Sequence, residues 1–258
     1  MNVARTIQQH LVPLNRLYYV FDKPGKIVDF SIDGSTSFAV QRNSSGKYAI
    51  LETWKWDAYH DDRYPIQPTD VIVDIGANIG SFSIWAARQA NKGMVYAFEP
   101  DEYNFQLLQT NIKRNHCTNI VALHQAVSDQ DGSISFYQQS KENNVNHTMF
   151  PDHFATKVDV PSITLESWIR SVGVTKINLL KIDAEGAEYP ILLSSPASVF
   201  KKIEKIYVEY HDYIGHGHQV ETLIRFLEKQ GYAVERSGSL LNIYHHFFNA
   251  GFLKAYKR

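Results

Sequence analysis

The chain has little of what marks a disulfide-rich, membrane-bound or nucleic-acid-binding protein. Its 258 residues include one cysteine, Cys117, which excludes an internal disulfide and a cysteine-rich zinc site. No apolar run approaches the length that spans a membrane, and the first residues lack the apolar core of a signal peptide. The formal net charge is −1, and neither a basic stripe nor a base-flipping aromatic motif stands out. We therefore expect a cytoplasmic protein without membrane or nucleic-acid partners.

The composition, with 44% apolar and 21% charged residues, is that of an ordinary globular protein. We predict an N-terminal extension over residues 1–69, a helix plus a β hairpin packing on the core, and a core domain over residues 70–258. Apolar residues recur at helical spacing from Val3 to Leu17 and predict the helix, whose alternative role is a homodimer contact. Alternation on both sides of Asp33-Gly34 predicts the hairpin.

Beyond residue 70, short apolar strands alternate with helical patterns. This alternation is typical of an α/β fold with a doubly wound, Rossmann-like parallel sheet. Near the end of the chain, strands over residues 232–236 and 240–244 are separated by Ser237-Gly238-Ser239. They predict an antiparallel hairpin at the sheet edge.

Residues 138–158 interrupt the alternation of strands and helices. They show no clear periodicity and many polar side chains, including Asn143, Asn144 and His147. A long irregular insertion of this kind predicts a lid or a substrate loop, with surface decoration as the alternative.

The stretch over residues 71–80 combines three features of a ligand site. A β-branched apolar run typical of a buried strand leads through Gly76 and Gly80 into an amphipathic segment. Glycine lets a ligand approach the backbone, and the start of a helix supplies free N–H groups. The stretch therefore predicts a site for a nucleotide-like ligand.

The spacing of the glycines and two carboxylates indicates which ligand binds. The dinucleotide fingerprint is G-x-G-x-x-G, whereas here Gly76 and Gly80 are separated by three other residues. Asp74 precedes the first glycine and favours a cationic or amino-bearing ligand over a diphosphate, because like charges repel. Glu99 ends the next strand, where a carboxylate can accept hydrogen bonds from both ribose hydroxyls. S-adenosylmethionine fits best, and an NAD-dependent oxidoreductase is the alternative.

The run Asp74-Ile75-Gly76-Ala77-Asn78-Ile79-Gly80 is similar to the first motif of the class I S-adenosylmethionine-dependent methyltransferases. Further runs, in the same order along the chain, resemble the FkbM family of these enzymes. These runs are Phe98-Glu99-Pro100 with Asn104, Asn111 and Asn115; Ala126-Val127-Ser128-Asp129; Thr164-Leu165; Lys181-Ile182-Asp183-Ala184-Glu185-Gly186-Ala187-Glu188; and Glu209-Tyr210-His211. The N-terminal segment and the loop over residues 138–158 match only loosely.

The resemblance implies a seven-stranded, mostly parallel sheet with an antiparallel last strand. It also implies transfer of a methyl group, usually to a hydroxyl oxygen of a small polar molecule such as a sugar or a secondary metabolite. Transfer to the nitrogen of a small amine is the alternative. The implied cofactor contacts are Asp74, Gly76, Asn78 and Gly80 with the methionine part, Glu99 with the ribose, and Ala126 and Val127 with the adenine.

Two polar residues at predicted strand ends are the candidates for the chemistry. Asp183 and His211 follow successive core strands, and ligands of open α/β sheets bind beyond such ends. A sulfonium donor is already activated, so the protein mainly orients the reactants and supplies a base for an alcohol. We favour His211 as the base because imidazole titrates near neutral pH, with Asp183 as cofactor ligand, orienting residue or base. The alternative is a divalent metal site made by Asp183, Glu209 and His211.

Overall fold

A computed structural model of the chain describes residues 26–42, 44, 46–138, 147–148, 156–212, 219–236 and 250–258. The predicted helix over residues 3–17, with its dimer role, lies outside these residues. So do most of the predicted lid and the predicted strand over residues 240–244.

A seven-stranded sheet forms the central layer. Its strands, in order across the sheet, are β12 (Tyr232–Arg236), β13 (Ala250–Lys257), β11 (Ile203–His211), β10 (Ile177–Ile182), β3 (Val71–Ile75), β4 (Met94–Phe98) and β5 (Ile120–Leu123). Neighbouring strands from β11 to β5 are parallel, whereas β13 is antiparallel to both β11 and β12. The predicted α/β fold, mostly parallel with an antiparallel last strand, is confirmed.

Within the described residues, Tyr232–Arg236 pairs with Ala250–Lys257, and the later strand lies inside the sheet, between β12 and β11. The predicted pairing with residues 240–244 stays a prediction, because those residues lie outside the described ranges. Ala250–Lys257 carries apolar side chains that the sheet covers. Leu253 and Ala255 in it are fully buried.

Helices cover both faces of the sheet, as a doubly wound fold requires. One face packs against α4 (Leu165–Val172), α5 (Glu188–Ser194), α6 (Ala197–Phe200) and α7 (Val220–Lys229). The other packs against α2 (Ser81–Gln89) and α3 (Glu102–Arg114), with α1 (Gly46–Trp54) beyond them. Among the described helices, none is long and apolar enough to cross a membrane.

A second, four-stranded sheet follows β5 along the chain. Its order is β6 (Ala126–Ser128), β9 (Thr156–Thr164), β7 (Gly132–Gln138) and β8 (His147–Thr148). Thr164 ends this sheet and begins α4, because its side chain accepts a hydrogen bond from the N–H of Ser167.

The predicted N-terminal hairpin is present as β1 (Ile27–Asp33) and β2 (Thr36–Gln41). Asn111 of α3 and Asn115, directly after this helix, form hydrogen bonds with the backbone of β2. Asn111 accepts a hydrogen bond from the N–H of Ala39 at 2.6 Å and donates to its carbonyl at 3.1 Å, and Asn115 binds the backbone of Ser37 in the same way. Asn111 also donates to the carbonyl of Ile79 at 2.9 Å, so one buried amide joins the hairpin to the ligand turn.

Candidate active site

The carboxyl ends of four parallel strands bring the predicted site residues to one edge of the sheet. Gly76 follows β3, Glu99 follows β4, Asp183 follows β10 and His211 ends β11. Backbone hydrogen bonds continue past the strand ends, since the N–H of Gly76 donates to the Phe98 carbonyl at 3.1 Å. The N–H of Asp183 likewise donates to the carbonyl of Ile75 at 3.0 Å.

The turn after β3 is held in a conformation that favours glycine. Gly76 and Gly80 have φ angles of +77° and +90°, in the left-handed region. Asn78 also has a positive φ, and its side-chain oxygen accepts a hydrogen bond from the N–H of Ile79 at 2.8 Å. A Cβ atom on Gly76 would come within 1.8 Å of the Asp183 carbonyl oxygen. The turn therefore packs directly against the loop that carries Asp183.

We expect Gly76→Ala to destabilise the fold and to displace Asp183. The positive φ alone costs about 1–3 kcal/mol, and the contact with the Asp183 carbonyl adds to it. Gly173→Ala is the matched control, because Gly173 has a φ of +72° but nothing lies within 4 Å of an added Cβ. Denaturant unfolding of both variants measures the difference. Equal losses of unfolding free energy would contradict the close packing.

Glu99 is buried at the end of β4 and holds the turn. Its two carboxylate oxygens accept hydrogen bonds from the N–H groups of Asn78 at 2.7 Å and Asp101 at 2.9 Å. Burial raises the pKa of Glu99 to about 8, against the opposing effect of the Asp101 N–H. A carboxylate offers about four lone-pair sites, so each oxygen keeps the capacity to accept a ribose hydroxyl. The residue fits the predicted ribose contact.

Asp74 and Lys181 form a buried ion pair beneath the turn. The side chains are 0% and 5% exposed, and Nζ of Lys181 lies 3.1 Å from Oδ1 of Asp74. The other oxygen of Asp74 accepts a hydrogen bond from the hydroxyl of Ser83 at 2.5 Å. Nζ also donates to the Gly76 carbonyl at 3.0 Å and lies 3.5 Å from Oδ2 of Asp183. Burial opposes the charge of Lys181, but Asp74 and Asp183 outweigh it and raise the pKa.

This arrangement gives Asp74 a structural role beside the cofactor contact implied by the resemblance. One oxygen accepts the hydrogen bond from Ser83, and the other faces Nζ of Lys181 in the ion pair. The contact of Asp74 with the methionine part of a cofactor stays a prediction. Lys181 is not among the predicted site residues. A charged side chain inside the apolar run of Ile177–Ile182 is the signal that could have identified it.

His211 lies between two carboxylates of the loop after β10. Its Nδ1 is 3.2 Å from Oε1 of Glu188, and its Nε2 is 3.5 Å from Oε2 of Glu185. Burial opposes protonation, but Glu185 and Glu188 outweigh it and raise the pKa of His211 well above its usual range. The two carboxylates therefore favour the protonated ring over the neutral imidazole that a base requires. The role of His211 as base stays a prediction.

Glu188 shapes the loop that carries Asp183. It is 0% exposed, and its carboxylate accepts hydrogen bonds from the N–H groups of Ala184 and Gly186. Asp183, in contrast, is 27% exposed and is open to a small molecule.

The predicted metal set needs one correction. Within the described residues, the group whose potential ligand atoms lie within 4.8 Å of one another consists of Asp183, Glu188 and His211, without Glu209. Glu209 and His211 are two residues apart on β11 and so share a face of that strand, but Glu188 at the start of α5 is the carboxylate that lies beside His211. The hydrogen bonds of Glu188 with the loop and its contact with His211 are sufficient to hold the Glu188 carboxylate in this position.

Ala126 and Val127 are buried in β6, directly beyond the carboxyl end of β5. Val127 packs in the same cluster as Phe98, the residue before Glu99. The two residues thus lie at the same edge of the sheet as the glycine turn. Their contact with adenine stays a prediction.

A sequence profile described as the methyltransferase FkbM domain matches residues 74–234, more than half of the chain. The chain belongs to the FkbM methyltransferase family. It is therefore an S-adenosylmethionine-dependent methyltransferase, and the alternative of an NAD-dependent oxidoreductase is overturned. The family assignment made from the ordered motifs is confirmed.

Curated relatives agree with this assignment. Methyltransferase 1 of Beauveria bassiana is 27% identical over 76% of this chain and 86% of its own length. The 31-O-demethyl-FK506 methyltransferase FkbM of Streptomyces tacrolimicus is 28% identical over 62% and 72%. The hexuronic acid methyltransferase AglP of Haloferax volcanii is 30% identical over 55% and 56%.

Among solved structures, a fibrillarin/Nop5p complex superposes with a TM-score of 0.51. The superposition covers 88% of this chain and 90% of that chain at 17% identity. At this level of identity the likeness concerns the fold alone.

Proposed function

We propose that this FkbM methyltransferase transfers a methyl group to a hydroxyl oxygen of a small polar molecule, a sugar or a secondary metabolite. The observation that carries the proposal is the partly exposed Asp183 carboxylate, which adjoins the glycine turn through Lys181 and the Gly76 contact. An alcohol needs a proton acceptor beside the methyl donor, and this carboxylate provides one. The net charge of −1 favours a small molecule over nucleic acid.

The names of relatives support an oxygen acceptor. One is a 31-O-demethyl-FK506 methyltransferase, another is a hexuronic acid methyltransferase, and a third is the 2-O-methyltransferase NoeI of Sinorhizobium fredii. Two of these names specify methylation at oxygen. They favour a hydroxyl over the amine of the N-methylation alternative.

When bound, S-adenosylmethionine supplies the methyl group that a nucleophile takes by in-line displacement. Glu99 would hold the ribose, and the turn from Gly76 to Gly80 would bind the methionine part. Asp183 would take the proton that the acceptor hydroxyl loses as its oxygen bonds to the methyl carbon. We propose Asp183 rather than His211 for this step, because both ring nitrogens of His211 face carboxylates. His211 would then position the loop that presents Asp183.

We expect Asp183→Asn to lower kcat by about 10²–10⁴-fold, the range of general base catalysis, and to change S-adenosylhomocysteine affinity only slightly. Single-turnover kinetics and calorimetry measure the two effects. Asp159→Asn is the control, since Asp159 is exposed on β9. If His211→Gln lost the larger factor and Asp183→Asn kept turnover, the base would be His211.

The acceptor atom is tested directly with methyl-labelled S-adenosylmethionine. The protein is incubated with glycosides, polyketide alcohols, peptide alcohols and small amines, and labelled products are analysed by NMR. We expect O-methyl signals. Label on nitrogen alone would replace the proposal with the amine alternative, and a protein that does not bind S-adenosylhomocysteine would contradict both.

A further inference from the structure

A buried amide holds the cofactor turn, residues 76–80, on the side of the N-terminal hairpin. Nδ2 of Asn111 donates a hydrogen bond to the carbonyl of Ile79 at 2.9 Å. Asn111 is 0% exposed, so it can influence a bound cofactor only by holding the turn. On the side of the core strands, Glu99 holds the N–H of the preceding residue, Asn78, at 2.7 Å.

The same amide binds the hairpin. The side-chain amide of an asparagine has two N–H donors and one carbonyl acceptor. One donor of Asn111 goes to Ile79, and the other goes to the carbonyl of Ala39 at 3.1 Å. The acceptor oxygen takes the N–H of Ala39 at 2.6 Å. Each donor and the acceptor of this buried amide are therefore used, and Asn111 links the position of the turn to that of the hairpin.

Apolar packing joins the same two segments. The side chain of Ile79 is 1% exposed and lies in one cluster with Phe38 and Val40 of β2. The hairpin and the turn thus share a part of the core. Because this packing does not depend on the amide, we expect the hairpin to stay in place when Asn111 is changed.

The backbone conformation of the turn requires such support. Gly76, Asn78 and Gly80 all have positive φ angles. A residue other than glycine, here Asn78, keeps this conformation only where the surrounding contacts hold it. If the turn left this conformation part of the time, the measured affinity for the cofactor would fall in proportion to the fraction of competent molecules.

We propose that the N-terminal hairpin, residues 27–41, is part of the cofactor site, and that Asn111 is the positioning residue through which it sets the affinity for S-adenosylmethionine. The inference concerns cofactor binding alone, so it does not depend on the acceptor or on the role of Asp183. The coupling is reciprocal by thermodynamic linkage. If the hairpin stabilises the turn, a ligand bound to the turn stabilises the hairpin.

Asn111→Ala should weaken S-adenosylhomocysteine binding by about tenfold in calorimetry, as expected for the loss of one buried hydrogen bond. Asn115→Ala is the matched control. Asn115 forms the same pair of hydrogen bonds with the backbone of Ser37 in the hairpin, at 3.3 Å and 2.8 Å, whereas Asn111 is the residue that binds the turn. Asn115→Ala should lower the free energy of unfolding but leave the affinity within about twofold, because its site is separate from the turn.

Denaturant unfolding of both variants separates an effect on stability from an effect on the turn. Unchanged affinity in Asn111→Ala would overturn the proposal, because the turn would then keep its conformation without the hairpin. An equal loss of affinity in the two variants would overturn it too, because the hairpin would then act through overall stability.

Hydrogen exchange in the wild-type protein tests the reciprocal effect without any variant. Saturating S-adenosylhomocysteine should slow exchange of the Ala39 N–H by about tenfold, the same factor as the loss in affinity. The control is the N–H of Gly173, which donates to the carbonyl of Ile169 at the end of α4 and takes no part in this coupling. Exchange at Ala39 that the ligand slows no more than exchange at Gly173 would overturn the proposal, whatever the variants show.

Discussion

Glu99→Gln is expected to weaken S-adenosylhomocysteine binding by about 100-fold or more. Each hydrogen bond between a charged group and a hydroxyl contributes about 1.5–3 kcal/mol, and Glu99 would accept two from the ribose. The amide also replaces an oxygen that accepts a backbone N–H from Asn78 or Asp101. Calorimetric titration of both proteins measures the ratio of the dissociation constants.

A ligand variant separates the ribose contact from distortion of the turn. S-adenosylhomocysteine lacking both ribose hydroxyls should bind the wild-type protein about as weakly as the intact ligand binds Glu99→Gln. The Glu99→Gln protein should barely distinguish the two ligands, because the contact is already lost. If Glu99→Gln discriminated between them as strongly as the wild type, Glu99 would not be the ribose ligand.

The pH dependence gives an independent check on Glu99. Burial raises the pKa of its carboxyl to about 8 in the free protein. The ionised form accepts both hydroxyls, whereas protonation converts one oxygen into a donor. Affinity for S-adenosylhomocysteine should therefore rise as the pH increases from 6 to 8, and Glu99→Gln should remove most of that rise.

The residues at the ends of core strands could be predicted because the fold itself places them. Parallel strands end at one edge, so Gly76, Glu99, Asp183 and His211 come together whatever the loops do. The spacing of residues along the chain does not show which side chains surround each of these site residues. The two carboxylates beside His211 come from a loop that turns back on itself at Glu185 and Gly186, both with positive φ.

Sequence patterns could not predict contacts between segments that are far apart in the chain. Helix α1 packs on the start of α2 through the hydrogen bond from the Ser81 hydroxyl to the Ala49 carbonyl, a contact that no spacing within α1 indicates. Ala250–Lys257 likewise inserts between β12 and β11, a position that no local sequence pattern indicates. In both cases tertiary packing determines the outcome.

Lys181→Met is expected to lower the free energy of unfolding by about 3–5 kcal/mol, the cost of breaking a buried ion pair on one side. The carboxylate of Asp74 is 0% exposed and would lose the cation that lies 3.1 Å away. The Gly76 carbonyl would also lose its donor, which would loosen the turn against the Asp183 loop. Denaturant unfolding followed by circular dichroism measures the loss.

Two controls isolate the buried charge as the cause of that loss. Lys176→Met removes a lysine that lies 2.6 Å from Glu204 on the surface, with both side chains about half exposed, and should cost less than about 1 kcal/mol. The double variant Asp74→Asn with Lys181→Met should be more stable than Lys181→Met alone, because no unpaired carboxylate remains inside. A double variant less stable than the single one would mean that Lys181 acts mainly through Gly76 and Asp183. The ion pair with Asp74 would then contribute little to the free energy of unfolding.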